Sequence, residues 1–309
     1  MTPLPSVGSN HALAKLLPTF NQKSLATLLP LLEQPGFSGH IPAAEAALLA
    51  DSERKSVDDL MLALLPLART YSRPPISNFH VGAIARGISG NLYFGANLEF
   101  PGHSLGLSVH AEQSALSNAY MHADEGILSI AVTAAPCGHC RQFMNELSPQ
   151  NDIRILIDGH PATTLTSLLP SAFGPKDLGF PHGAFPVKTV DLILPEGVSD
   201  EFTTAALDAA CKSYAPYTKA HSGIAIATQA GRIFRGSYLE NAAFNPSLSP
   251  LHTALAALIV AGESQAAISR VVLVEIAGAA ISQKSVTESA LGAIAPAAKL
   301  QIVTVNRTA

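Results

Sequence analysis

The chain has 309 residues, 48% of them hydrophobic and 14% charged, a balance that excludes a disordered polypeptide and suffices for one large core or two modest ones. A net charge of −4, with 19 Lys and Arg scattered and no basic run longer than Arg54-Lys55, leaves no basic stripe for a nucleic acid polymer. No run approaches the ~18 apolar residues of a membrane span, "MTPLPSVGSNHALAKLLP" lacks the basic start and apolar middle of a secretory leader, and Cys137, Cys140 and Cys211 are too few for a disulfide framework. The expectation is therefore a cytoplasmic protein without membrane partners.

Residues 1–55 read as short helices interrupted by Pro and Gly ("HALAKLLPTF", "SLATLLPLLEQPG", "AAEAALLAD") and form a helical N-terminal region. Ser56-Val-Asp-Asp59 has the form of a capping box and opens an amphipathic helix that Pro66 should kink. "NFHVGAIARG" and "NLYFGANLEF" are β-rich runs joined by "ISGN", which predicts a hairpin. A Gly-containing loop, the helix "HAEQSALSNAYMH", the strand "ILSIAVTAA", the helix "CGHCRQFMNEL" and the strand "DIRILI" follow, an alternation that predicts a layered α/β sheet with helices on its faces.

The second half repeats this order. Tyr71, Gly82 and Gly95 match Tyr214, Gly223 and Gly236 at an offset of 141 to 143 residues, which indicates a duplicated domain. The expected division is a helical region over 1–55, a first domain over 56–172, a Pro/Gly-rich connector over 173–193 and a second domain over 194–309.

"APCGHC" at 135–140 poses a choice between a redox dithiol and half a metal site. The surroundings favour metal. "HAE" at 110–112 opens the preceding helix, and His110 with Cys137 and Cys140 gives zinc three ligands and one open position, the arrangement of a catalytic centre. Both ligand groups sit at predicted helix N-termini, whose dipoles stabilise thiolates. Zn²⁺ with two thiolates and a neutral imidazole sums to zero charge, which leaves a water free to ionise near neutral pH. Glu112, two positions from His110, is placed to carry protons without ligating, and a purely structural site would not need it. A non-catalytic zinc-stabilised scaffold is the competing reading, and Glu112 is the residue that discriminates the two. His-x-Glu followed by Pro-Cys-x-x-Cys is a known signature of zinc deaminases.

At these residues, and at "SNFHVGA" (77–83) and "GANLEF" (95–100), the chain resembles the cytidine deaminases, specifically the long homodimeric kind with a second, inactive copy of the domain. The resemblance covers about residues 56–309. It implies a three-layer α/β/α fold with a mixed sheet, duplicated, and one zinc per chain. It also implies hydrolytic deamination of cytidine and deoxycytidine in pyrimidine salvage, with Glu112 moving protons from water to N3 and then to the leaving ammonia. Phe79 is expected against the pyrimidine, Asn97 and Glu99 at the ribose 3′-hydroxyl, and backbone at Ala111 and Ala135 along the base edge. A homodimer is expected in which "SAFGPKDL", with Phe173, helps close the neighbouring subunit's site.

The second copy departs from the pattern: Tyr238 replaces Asn97, "PLHTALAAL" lacks the His-Ala-Glu sequence, and "EIAGAAISQ" has no Cys pair, so it is expected to bind no zinc. "GHSLG" at 102–106 mimics a nucleophile elbow, but Pro101 precedes it and no strand feeds into it, so it reads as a loop over the site. His80, His103, His122 and His139 read as surface or hydrogen-bonded side chains, and Cys211 as a packed thiol.

Overall fold

The computed structural model describes residues 10–148 and 152–307. Helices α1 (Asn10–Leu16) and α2 (Gln22–Glu33) lead to a two-residue strand β1 (His40–Ile41) and helix α3 (Ala43–Glu53). The first repeat follows as α4 (Val57–Thr70), β2 (Gly82–Gly87), β3 (Leu92–Ala96), α5 (Ala111–Met121), β4 (Ile127–Val132), α6 (Gly138–Leu147), β5 (Arg154–Ile157) and β6 (Thr163–Thr164). After a one-turn α7 (Leu165–Leu168) and β7 (Leu192–Ile193), the second repeat runs α8 (Glu201–Cys211), β8 (Ser222–Thr228), β9 (Ile233–Ser237), α9 (Pro250–Val260), β10 (Ile268–Ile276), α10 (Lys284–Ile294) and β11 (Lys299–Arg307).

Two mixed sheets result, with orders β1-β3-β2-β4-β5-β6 and β7-β11-β10-β8-β9. In each, an antiparallel hairpin sits beside a parallel pair, β4 with β5 and β10 with β11, and a helix makes the crossover between the parallel strands. Strands β3 and β8 are buried along their whole length, as a sheet covered on both faces requires.

The matched glycines of the two repeats have one physical cause. A Cβ on Gly82 would lie 2.5 Å from the Arg69 nitrogen of α4, and one on Gly95 2.2 Å from the Ala115 nitrogen of α5. The hairpin register pairs Gly82 with Ala96, so these two glycines face opposite sides of the sheet and admit one helix each. Gly223 against α8 and Gly236 against α9 repeat both approaches, each within 2.1 Å of backbone. The bridges Arg73–Leu98 and Tyr214–Leu239 hold the repeat at a constant offset of 141, as do the Ser72–His80 and Ser213–His221 hydrogen bonds. Tyr71 is thus the counterpart of Lys212, and its match to Tyr214 in the sequence is corrected.

Helices α5 and α9 pack against each other between the two sheets, and α9 also touches β3. One apolar cluster therefore runs from Leu13 and Leu28 through Phe94 and Phe143 to Leu255 and Leu273. The N-terminal region is not helical throughout. His40 and Ile41 pair with Tyr93 and Leu92, extending the first sheet by an edge strand too short to leave a period in the sequence. Helix α4 continues through Pro66, and Ser56 accepts the Asp59 N–H at 3.1 Å as its N-cap. The Asp59 carboxylate accepts from the Ser56 hydroxyl at 2.6 Å, which leaves the box half-formed. Among the described residues, no helix is long and apolar enough to cross a membrane.

Candidate active site

Strand β4 lies between α5 and α6 in sequence and carries the chain back so that both helices begin at the same end of the sheet. His110 is the N-cap of α5 and Cys137 the N-cap of α6, with Cys140 in the first turn. The His110 backbone N–H donates to Gln113 Oε1 at 3.2 Å, which leaves the imidazole free to turn toward the thiols.

His110 Nδ1 is 3.5 Å from Cys137 Sγ and 3.3 Å from Cys140 Sγ, and the two sulfurs are 3.7 Å apart. Zinc bonds of about 2.3 Å to sulfur and about 2.0–2.1 Å to nitrogen, opened to the tetrahedral angle, separate ligand atoms by roughly 3.5–3.8 Å. The three donors fit that triangle, and they are the one cluster of three or more metal-capable side chains among the described residues. Zinc is the cofactor these residues suit.

The charges agree with a metal site. The Cys137 thiol is pulled down to about 3 by the hydrogen bonds of Cys140 and His110, while Cys140 rises because it shares its proton with Cys137 and is buried. Two adjacent sulfurs of which one favours the thiolate are what a divalent ion would bind, holding both as thiolates. His110 is raised, chiefly by its bond to Cys137. Glu112, 4% exposed on the first turn of α5, is raised by burial, which outweighs the opposing effects of its own backbone N–H, His110 and Cys140.

A cavity of about 380 Å³ opens beside this cluster. Of the residues expected from sequence, Phe79, Asn97, Glu99, His110, Ala111, Glu112, Ala135 and Cys137 line it. Cys140 is fully buried behind the other ligands. Phe173 is not brought to the cavity of its own chain: it is 46% exposed, and its carbonyl accepts from Gln142 and Asn145 of α6.

Asn97 and Glu99 first hold their own loop. Asn97 Oδ1 accepts from Val81 N at 2.9 Å and its Nδ2 donates to Phe79 O at 2.9 Å. Glu99 accepts from the Ile76 and Ser77 backbone at 2.8 and 2.9 Å on one oxygen and from the Ser77 hydroxyl on the other. Burial pushes the Glu99 carboxyl up, but these donors outweigh it and the net direction is down. Phe79 is left 60% exposed at the cavity wall.

Sequence reasoning missed Ser77, Val81, Leu105, Ser108, Val109 and Ala134 in the lining. Leu105 belongs to "GHSLG", which forms a loop and a short 3₁₀ turn capped by Ser104, not a nucleophile elbow. His80, His103 and His122 bond to Ser72, Ser289 and Ser38. His139 has a closer relation to the site: its ring stacks on His110 at 5.4 Å, and its Nε2 lies 3.2 Å from the Gln113 amide.

In the second repeat the bridge Leu239–Leu248 corresponds to Leu98–Val109. Ser249 therefore stands where His110 does and Leu251 where Glu112 does, and Gln283 is the N-cap of α10 as Cys137 is of α6. Counterparts of the three donors and of the buried acid are absent there.

Two family models of the cytidine and deoxycytidylate deaminase zinc-binding region match residues 55–154 and 165–288. The cytidine deaminase of Salmonella paratyphi A is 45% identical over 275 residues, covering 87% of this chain and 90% of its own. Those of Sodalis glossinidius and Vibrio parahaemolyticus are 43% and 42% identical over 295 and 278 residues, covering 92% and 90% of this chain and 94% of each relative.

Proposed function

The chain belongs to the cytidine and deoxycytidylate deaminase family, and from that premise we propose the following reading of its site. The protein is an enzyme that hydrolyses the exocyclic amine of cytidine, yielding uridine and ammonia; we extend this to deoxycytidine, and place the reaction in the reuse of pyrimidine nucleosides. The observation that carries it is Glu112, a buried carboxyl on the wall of the cavity, two residues from His110. Zinc, when held by His110, Cys137 and Cys140, supplies Lewis acidity that lowers the pKa of a water toward 7.

Glu112 then does the proton work. Its carboxylate accepts the proton of the attacking water and delivers it to N3 of the pyrimidine as oxygen bonds to C4. The same carboxyl then takes the proton of the hydroxyl now on C4 and passes it to the exocyclic nitrogen, so that the C4–N bond breaks as the C4 carbonyl forms, and ammonia leaves. Burial favours the protonated form between the two transfers.

Phe79 lies against the base, and the backbone at Ala111 and Ala135 follows its edge. Asn97 has one Nδ2 hydrogen left after its bond to Phe79, and Glu99 has one lone-pair position left on Oε1, the oxygen that accepts from the Ser77 hydroxyl. That donor and acceptor match one ribose hydroxyl, whereas a phosphate there would meet the Glu99 charge. We assign residues 56–172 to the catalytic domain, 173–193 to a connector and 194–309 to a domain without zinc. The chain works as a homodimer in which the partner subunit's Phe173 closes the cavity mouth.

Ultraviolet monitoring of cytidine and deoxycytidine with the purified, zinc-loaded protein tests the substrate assignment. Conversion to the uracil nucleosides is expected. Unchanged nucleosides over protein that holds zinc would overturn it.

A further inference from the structure

The second repeat retains a cavity of about 230 Å³, and no established property of the chain gives it a role. Its wall includes Tyr238, Ser247, Leu248, Ser249 and Gln283, the counterparts of Asn97, Ser108, Val109, His110 and Cys137 in the catalytic cavity. The duplicated pocket has thus lost its metal donors and its acid without being filled by side chains. We propose that this relict pocket binds an uncharged pyrimidine base.

The lining sets the ligand class. None of its residues is Asp, Glu, Lys or Arg. Hydroxyls of Ser247 and Ser249 and the amide of Gln283 offer donors and acceptors to a planar polar ring, Gln113 Oε1 keeps one acceptor position beyond its bond from the His110 N–H, and Tyr238, His139 and His252 offer aromatic surface. His252 is 6% exposed, its Nε2 lacks a hydrogen-bond partner, and burial holds the ring neutral. An anionic nucleotide finds no counter-charge in such a wall.

Size selects the base over the nucleoside. Tyr238 stands at the position of Asn97, and its hydroxyl donates at 3.5 Å to Glu240 Oε1, the oxygen whose counterpart in Glu99 keeps an open position; Glu240 is buried, 1% exposed. The sugar end is therefore closed and the base end remains. Gln113 and His139 reach into the wall from the first repeat, so a bound base touches the two side chains that contact His110. The choice of a pyrimidine rests on the reading of the catalytic site; the existence of the pocket does not.

The test uses the zinc-loaded full chain with its catalytic cavity kept filled by uridine. Crystals soaked in 5-bromouracil should show one bromine anomalous peak per chain, between Tyr238 and Gln283. Equilibrium dialysis with labelled uracil should give one bound base per chain, weakened at least tenfold by Val286→Phe, which narrows the pocket from α10, and by Gln283→Ala, which removes an amide. A peak confined to the catalytic cavity, a peak without binding in dialysis, or binding that both variants leave unchanged would overturn the proposal. Failure of cytidine turnover with the bromine peak in place would instead count against the catalytic reading.

Discussion

His252 and Glu112 are both deeply buried ionisable groups on the helices that meet between the sheets, and burial, which favours the neutral form of each, moves their pKa values in opposite directions. For Glu112 it favours the protonated acid, which suits a group that must hold a proton between two transfers. For His252 it favours the neutral ring and pulls the imidazole down to about 4; His40, at the N-terminal edge strand, is likewise lowered to about 4 by burial and by His122. Between about pH 6.5 and 4 the unfolded chain therefore binds more protons at these positions than the folded one. Their contribution to stability is fully present above pH 6.5 and declines as the pH falls toward 4. Thermal unfolding across this range should show a falling Tm, and His252→Phe, of similar shape and losing no bond at Nε2, should flatten it by up to roughly 3 kcal/mol. An unchanged slope in the variant would show that His252 takes no part.

At the scale of elements, the zinc ligands and Glu112 were legible because their spacing is set by local chemistry: two helix starts separated by one strand. The hairpins and the order of the repeat were legible for the same reason. The constant register of the repeat was not, since Tyr71 and Tyr214 look alike in sequence while Ser72 and Ser213 hold the equivalent bonds. Strand β1 was invisible because two residues carry no period, and the relict pocket because its wall is defined by what the second repeat lost. The glycines explain how tightly the elements meet. Gly236→Ala should cost about 1–3 kcal/mol by urea unfolding, because the Cβ lands on the α9 backbone at 2.1 Å. Gly292→Ala, in α10 with nothing within 4 Å, should instead stabilise by about 0.5–1 kcal/mol. Equal effects at the two sites would contradict the close-approach account.

The whole molecule is held by a core that ignores the boundary between repeats. Helix α9 of the second repeat packs on both α5 and β3, and the Pro246 carbonyl accepts from the Gln113 amide that lies beside His110. The second repeat thus supports the start of α5 although it has no donors of its own. Composition foretold enough apolar material for such a core but not that the two halves would share it, which depends on contacts more than a hundred residues apart. Phe79, Leu105, Phe173 and Phe244 are each at least 46% exposed, apolar surface open to the second copy in the proposed homodimer. Sedimentation should give a particle of twice the 32.1 kDa chain mass, with Phe173→Ala raising KM for cytidine more than it alters the mass. A monomer with full activity would remove the shared-site proposal.

The central claim is that Glu112 moves the protons at a zinc site it does not itself build. Its direct measurement is the Glu112→Gln variant, assayed for cytidine turnover beside wild type, with zinc content determined on both by mass spectrometry. The account predicts about one zinc per chain in each and a rate lowered by at least about 10²–10⁴-fold in the variant. Retained turnover would contradict it, and so would lost zinc, since Glu112 would then be a ligand.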